Sequence, residues 1–288
     1  MFAPTIGKHE LFSRVEPQDP AFDPEEIWGI MPAERSKPYK TREILARLLD
    51  NSEFDEYKAG YGGTIICGYG RIDGWAVGIV ANNREIVRSG KGEMQVGGVI
   101  YSDSADKAAR FILNCNQRGI PLVFLQDVTG FMVGTRAEQG GIIKDGAKLV
   151  NAVANSVVPK FTIIMGNSYG AGNYAMCGKA YDPRFIYAWP TSQIAVMGGS
   201  QAAKTLLTIK IASLEKNGET ITEEQQNKML AEIQKKYDDT TTPLYAASRL
   251  WVDGIISPTE TRAVISRGIA VASHQPAIPE LRNGVIQV

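Results

Sequence analysis

The residues best placed to do chemistry in this chain lie at a junction that is nearly stripped of side chains. Residues 166–176 read GNSYGAGNYAM and follow KFTIIM. An apolar run that suits a strand meets Gly170, Ala171 and Gly172, and an apolar, helix-compatible segment follows at once. Small residues there let a helix pack closely on a sheet. They also let an anionic oxygen approach bare backbone N–H groups at a helix N-terminus. Gly166, Ser168 and Gly170 match GxSxG literally, the pattern of a serine hydrolase. Such a serine needs a base. The chain has only His9 and His274, near its two ends, which disfavours a Ser-His-Asp triad and a His-based zinc site alike.

A second loop has the same character. QDVTGFMVGTRAEQGG, residues 126–141, follows the apolar run IPLVFL. Both loops sit at the C-terminal ends of strand candidates, where α/β sheets place their ligands. Both are rich in Gly and poor in nucleophiles or bases. No GxGxxG and no GxxxxGK(S/T) is present. Loops of this kind point to catalysis by backbone N–H groups, which stabilise an enolate or related oxyanion while substrate or cofactor supplies the base. Of the neighbouring side chains, Lys144 and Asp145 read as a solvated face and Trp189 as core. Tyr169 and Tyr174 read equally as pocket lining or core.

The elements that must position these loops alternate in type. KTREILARLLDNS carries Ile44, Leu45, Leu48 and Leu49 at helical spacing, with Asn51 as a stop. TIICGYGRI and WAVGIVAN, joined through Asp73-Gly74, predict a hairpin. Residues 84–98 predict an exposed, mobile, Gly-rich insertion. Helices are expected at 105–118 (Ser104 as cap, Gly119 as stop), 138–156 and 200–216, with a further helical segment after Ser168. Strands are expected near 121–126, 160–166 and 185–197. Strands alternating with helices imply an α/β fold with a largely parallel sheet. TEEQQNKMLAEIQKKYDD predicts a charged helix standing away from the body, and Pro258 opens the last helix. Residues 1–38, polar and Pro-rich, read as an extended arm that Trp28, Ile30 and Met31 would anchor. The body spans 39–275 and an extended tail 276–288.

With 288 residues, 44% hydrophobic and 22% charged, the chain can bury a sizeable core. Lys plus Arg and Asp plus Glu number 31 each, so neither nucleic acid nor an anionic membrane is an expected partner. The N-terminal stretch lacks a secretory h-region and no run of eighteen or so apolar residues exists, so no signal peptide or membrane span is expected. Cys67, Cys115 and Cys177 sit in apolar segments without CxxC spacing. They read as buried free thiols in a reducing compartment.

FLQDVTGFMVG, GGIIKDGAKLVNAVANSVVPKFTIIMGNSYGAGNYAMCGKAYDPRFIYAWP and IAVMGG together resemble the carboxyltransferase (beta) subunit of biotin-dependent acyl-CoA carboxylases, of the methylcrotonoyl-CoA type. The resemblance runs from about residue 25 to about residue 275. It implies a crotonase-like ββα spiral. Family members join two such halves, and this chain resembles the C-terminal half, which receives biotin. The 84–98 insertion separates VANN from GGVIYSDSADKAARF, which family members join more directly. The implied activity moves a carboxyl group from N1-carboxybiotin to an acyl-CoA carbon, with backbone N–H groups stabilising the biotin enolate. Carried over by position, one oxyanion donor falls at Ala171 or Gly172, with Gly170 clearing space, and the other in the Gly130–Phe131 loop. Tyr169 and Tyr174 would line the biotin pocket.

The implied cofactor is biotin on a separate carrier, with acyl-CoA as substrate. The implied partners are a biotin carboxylase/biotin carrier subunit, an N-terminal carboxyltransferase half, and further copies in a trimer or hexamer. A cytoplasmic location follows, or the mitochondrial matrix in a eukaryote. Two alternatives share the fold: a glutaconyl-type biotin-dependent decarboxylase component, and a catalytically silent assembly half.

Overall fold

The computed structural model describes residues 11–216, 222–275, 277–282 and 284. His9 and residues 1–10 of the expected arm lie outside the described residues, as do 276, 283 and 285–288 of the expected tail.

The expected hairpin opens the sheet. β1 (Asp55–Glu56) pairs antiparallel with β2 (Ile65–Ile72), and β2 with β3 (Trp75–Asn82) in full register from Ile65↔Asn82 to Ile72↔Trp75. Asp73 at φ 51 and Gly74 at φ 80 form the tight turn, a conformation that Asp-Gly tolerates. The expected exposed, Gly-rich insertion holds a second hairpin, β4 (Val87–Arg88) with β5 (Met94–Gln95), and Ile86, Met94 and Val96 are exposed. Its roots are buried: Arg84 is 7% and Gln95 5% exposed. Gln95 Nε2 donates to both carboxylate oxygens of Asp103, at 3.2 Å each. The short β6 (Val99–Ile100) follows.

From there the connections become parallel. β7 (Leu122–Val128) lies beside β3 and β9 (Lys160–Tyr169) beside β7. On its other side β9 pairs first with β10 (Phe185–Ala188) and further on with β11 (Gln193–Ala195). β12 (Gly254–Ile255) pairs parallel with β10. β8 (Gly130–Phe131) leaves this sheet and pairs with β6. Alternate residues of β7 feed two cores, because strand side chains point to opposite faces. Val123 and Leu125 join Ile44, Ile79, Ile163, Trp189 and Ile265 on one face. Leu122 and Phe124 join Val80, Phe111, Cys115 and Leu149 on the other.

The helices follow the expected order with local differences. α1 (Ile27–Ile30) is one turn in the expected arm, and α2 (Thr41–Leu48) matches the apolar spacing. Phe12 and Ile27 belong to the main core, and Ile30 and Met31 pack against it; Trp28 stays 43% exposed and is not an anchor. α3 (Ser102–Arg118) starts from Tyr101, so Ser104 is not the cap residue; its Oγ accepts from Tyr101 N at 2.9 Å. Gly119 stops α3 at φ 66. The expected 138–156 helix divides into α4 (Thr135–Gln139) and α5 (Ile142–Ala154), because Gly141 at φ 97 breaks the helical path. α6 (Gly170–Ala175) is shorter than expected, since Cys177 turns left-handed at φ 61. α7 (Gly199–Lys216) and α8 (Glu223–Asp239) pack on each other. The expected charged helix α8 buries no residue fully, and Tyr237 ties it down by donating to Met197 O at 2.9 Å. α9 (Pro243–Ala247) and α10 (Thr261–Ala272) follow α8 in the chain.

Candidate active site

The two Gly-rich loops meet. A Cβ on Gly172 would lie 2.6 Å from Val128 Cγ2, 3.2 Å from Gly130 Cα and 3.3 Å from Gly130 N. The first turn of α6 therefore rests directly on the end of β7. Gly170 is constrained differently: its φ is 52 and a Cβ there would stand 2.9 Å from Val196 O. Gly130 has φ 142, open to glycine and rarely to others. Ala171, between the two close-packed glycines, is exposed. No side chain caps α6, and a helix makes no internal acceptors for its first-turn N–H groups.

The Gly130–Phe131 segment is held from the opposite side. Thr129 N donates to Gly98 O at 2.8 Å, Thr129 Oγ1 to the same oxygen at 3.0 Å, and Met132 N to Ile100 O at 2.9 Å. Phe131 turns its ring toward α5, where a Cβ on Gly146 would meet it at 2.8 Å. Among the expected site residues, Gly130, Phe131, Gly170, Ala171 and Gly172 are thus close together. Tyr169 is 7% exposed, and its hydroxyl donates to Gln193 Oε1 at 2.6 Å. Burial pushes the Tyr169 pKa up to about 12. Tyr174 is 47% exposed and packs on Tyr181, ring centroids 5.7 Å apart. Asp145 is buried and pairs with Lys148 at 2.9 Å, so it is not on a solvated face.

Ser168 is fully buried. Its Oγ donates to Gln126 Oε1 at 2.6 Å and accepts from Asn173 Nδ2 at 2.7 Å, while Gln126 Nε2 donates to Met176 O at 2.7 Å. This amide–hydroxyl chain fastens α6 to β7. It leaves Ser168 without a base or a path to substrate. His274, the one described histidine, lies beside Arg184 and Phe185, lining a separate hollow. All three thiols are buried. Burial raises Cys67 to about 12 and Cys177 to about 11, so neither is a thiolate near neutral pH.

Residues outside the expected set stand at the same place. Asp127, 4% exposed, carries a carboxylate directly upstream of the loop. Burial raises its pKa, with Arg84 opposing. The signal in the sequence was Gln126-Asp127 closing an otherwise apolar buried strand, since buried polar groups are kept only with partners. A cleft of about 1000 Å³ opens beside Met132 and Val133. The β4–β5 hairpin, through Ser89, Glu93 and Met94, forms its other wall, and Arg136 pairs with Glu93 across it.

This arrangement suits chemistry in which charge develops on an oxygen held by backbone amides. The chain matches the carboxyl transferase domain family over residues 5–286. It is 45% identical over 264 residues to the methylcrotonoyl-CoA carboxylase beta chain, mitochondrial, of Dictyostelium discoideum, covering 92% of this chain and 42% of that protein. It is 44% identical over 270 residues to the biotin-dependent 3-methylcrotonyl-coenzyme A carboxylase beta1 subunit of Mycobacterium tuberculosis, covering 94% and 48%. The beta subunit of geranyl-CoA carboxylase from P. aeruginosa superimposes with a TM-score of 0.79 at 40% identity, over 96% of this chain and 50% of that one. Transcarboxylase 12S, a hexamer with methylmalonyl-coenzyme A bound, gives 0.81 at 33%, again over 96% and 50%. The chain spans about half the length of these relatives, and its α/β fold is their crotonase-like one. From residue 5 to residue 286, then, this chain belongs to the carboxyl transferase domain family.

Proposed function

We propose that this chain is the biotin-side half of the carboxyltransferase component of a biotin-dependent acyl-CoA carboxylase, with 39–275 as the working unit. One observation carries the reading. Gly172 packs on Gly130, which brings the uncapped first turn of α6 against the Gly130–Phe131 segment. A bound carboxybiotin would supply the carboxyl group, and backbone N–H groups here would hold its ureido oxygen, where negative charge would develop. The donors proposed for that oxygen are the amide of Ala171 or Gly172 and one in the Gly130–Phe131 segment. Preorganised N–H groups of this kind need no reorganisation as charge develops. Exposed Ala171 leaves the approach clear, and a small side chain is required there. Tyr174, exposed on the same helix, is proposed to line the entry. Tyr169 supports the strand end through Gln193 and is proposed to act from beneath.

The relatives point to a methylcrotonoyl-type acyl-CoA as the first substrate to test. The proposed partners are an N-terminal carboxyltransferase half, a biotin carboxylase/biotin carrier subunit and further copies of the chain. Exposed apolar side chains at Val196, Ile209, Leu244 and Leu250 support an assembly that covers them. Sedimentation is expected to give a trimer or a hexamer. No helix among the described residues is long and apolar enough to cross a membrane. The proposed location is the cytoplasm, or the mitochondrial matrix in a eukaryote.

The test is reconstitution with the N-terminal half and carboxylated carrier. Carboxyl transfer to methylcrotonoyl-CoA supports the reading. Biotin-dependent decarboxylation without forward transfer shifts it to a decarboxylase component. No turnover in either direction, with assembly intact, leaves a scaffold.

A further inference from the structure

The two N–H-bearing segments grow from a single irregularity in the sheet. On β7 and β9, Gln126 pairs with Ile164, but Val128 pairs with Ser168. Two steps along β7 answer four along β9, so β9 is bulged between Ile164 and Ser168. The regular ladder is interrupted there, and something else must fix how far each strand end advances. Asp127 occupies the gap. Its Oδ1 accepts from Asn167 N at 2.8 Å. A Cβ on Gly166 would stand 2.5 Å from Asp127 Cγ, so only glycine leaves room for the carboxylate. Its Oδ2 accepts from Tyr39 Oη at 2.9 Å and faces Arg84 Nε at 3.3 Å. Asp127 N donates to Asn82 Oδ1 at 3.1 Å.

Arg84 is the root of the β4–β5 hairpin. It is 7% exposed, and its Nη2 donates to Arg35 O at 2.9 Å. The chain after the hairpin returns past it, where Gly98 N donates to Asn83 O at 2.8 Å, and Gly98 O then receives Thr129 N. One carboxylate therefore gathers the arm-side Tyr39, the hairpin root, β7 and the β9 bulge. It lies three residues before Gly130, and Asn167 lies three before Gly170.

We propose that Asp127, balanced by Arg84 and Tyr39, is a positioning residue: its buried carboxylate sets the spacing between the Gly130–Phe131 segment and the first turn of α6. The hairpin is then a structural part of the site through Arg84. The chemistry this spacing serves rests on the carboxyltransferase reading above; the brace itself does not. A side chain that acts only on position changes the rate of the chemical step and leaves substrate binding alone.

The reconstituted enzyme tests this with Asp127→Asn, Arg84→Met, Arg84→Lys, Tyr39→Phe and the Asp127→Asn/Arg84→Met double variant. Asp127→Asn is expected to lower kcat by about 10- to 100-fold, the size of a sub-ångström to ångström misplacement, at unchanged KM for acyl-CoA. Arg84→Lys should restore most of what Arg84→Met loses. The double variant should fall no further than the worse single one, because both break one brace. Amide exchange should quicken at residues 128–132 and 168–173 together. Unchanged kcat in Asp127→Asn, or losses that multiply in the double variant, overturns the proposal. If Asp127→Asn does not fold, Tyr39→Phe decides: a several-fold fall in kcat supports the brace and an unchanged kcat overturns it. If the unmodified chain shows no transfer at all, the carboxyltransferase reading fails, and amide exchange alone decides the brace: unchanged rates at both segments overturn it.

Discussion

Gly172 lies so close to Gly130 that a Cβ on it would stand 3.2 Å from the Gly130 Cα and 2.6 Å from a methyl of Val128. The missing side chains at the strand–helix junction thus serve close packing at Gly172, while Ala171 beside it stays exposed. The close-packing reading of the small-residue stretch holds at Gly172, and the proposed oxyanion role falls to the exposed Ala171 beside it. Gly172→Ala should therefore destabilise by about 1–3 kcal/mol through overpacking, read as a lowered midpoint in urea. An unchanged midpoint would show that the two loops can part.

Ala171→Val places its added methyls on an exposed position, so the fold should be kept and the melting temperature barely moved. Carboxyl transfer in the reconstituted enzyme should fall by about 100-fold or more, because the added methyls would keep the ureido oxygen away from the backbone N–H groups, an effect as large as losing one such donor. Normal transfer by this variant would remove Ala171 from the site.

Ser168→Ala should keep activity within about tenfold while costing about 1–3 kcal/mol of stability, because Gln126 Oε1 and Asn173 Nδ2 lose a buried partner. A rate loss above about 1000-fold, roughly 4 kcal/mol of transition-state stabilisation, would give Ser168 a direct chemical role.

Lys107 is 2% exposed, and its ammonium has no hydrogen-bond partner among the described residues. Burial lowers its pKa, with Cys67 and Glu56 opposing. Between that lowered value and the unfolded one near 10.4, the unfolded chain binds the extra proton. Stability contributed by this group therefore rises with pH across that window and is flat below it. Lys107→Met should stabilise the protein near neutral pH by about 1–3 kcal/mol, the cost of burying an unpaired polar group. It should also flatten the rise in urea-denaturation series at graded pH; an unaltered slope would contradict this.

The β4–β5 hairpin should exchange its amides unevenly. Gly98 N and Ser89 N are bonded to Asn83 O and Glu93 O at 2.8 Å each. These should be protected, while exposed Gly90 at the tip exchanges fast. Uniformly fast exchange over 84–98 would bear out the mobile insertion that its glycines predict.

Much of this was legible locally. Asp73-Gly74 specified its own turn, because the φ values of two adjacent residues decide it. The β7 and β9 runs were long and apolar enough to be buried strands, and Gly119 marked the end of α3. The apolar settings of Cys67, Cys115 and Cys177 marked them as core, and the junction at 170–172 was visible as a place without side chains. What the tertiary structure decided depends on residues far apart in the chain. Ser168 could be told from a nucleophile only once Gln126 and Asn173 closed around it. Phe12 and Ile27 became core, and Trp28 did not, because the sheet face they meet is built from β2, β3, β7 and β9. Asp127 gained its place from a slip between β7 and β9, and Arg84 from a hairpin folded back across that slip. Dihedral preferences and burial periodicity are properties of neighbouring residues, so a sequence shows them directly. Strand register is a property of pairs some forty residues apart, and it exists only once the sheet has formed.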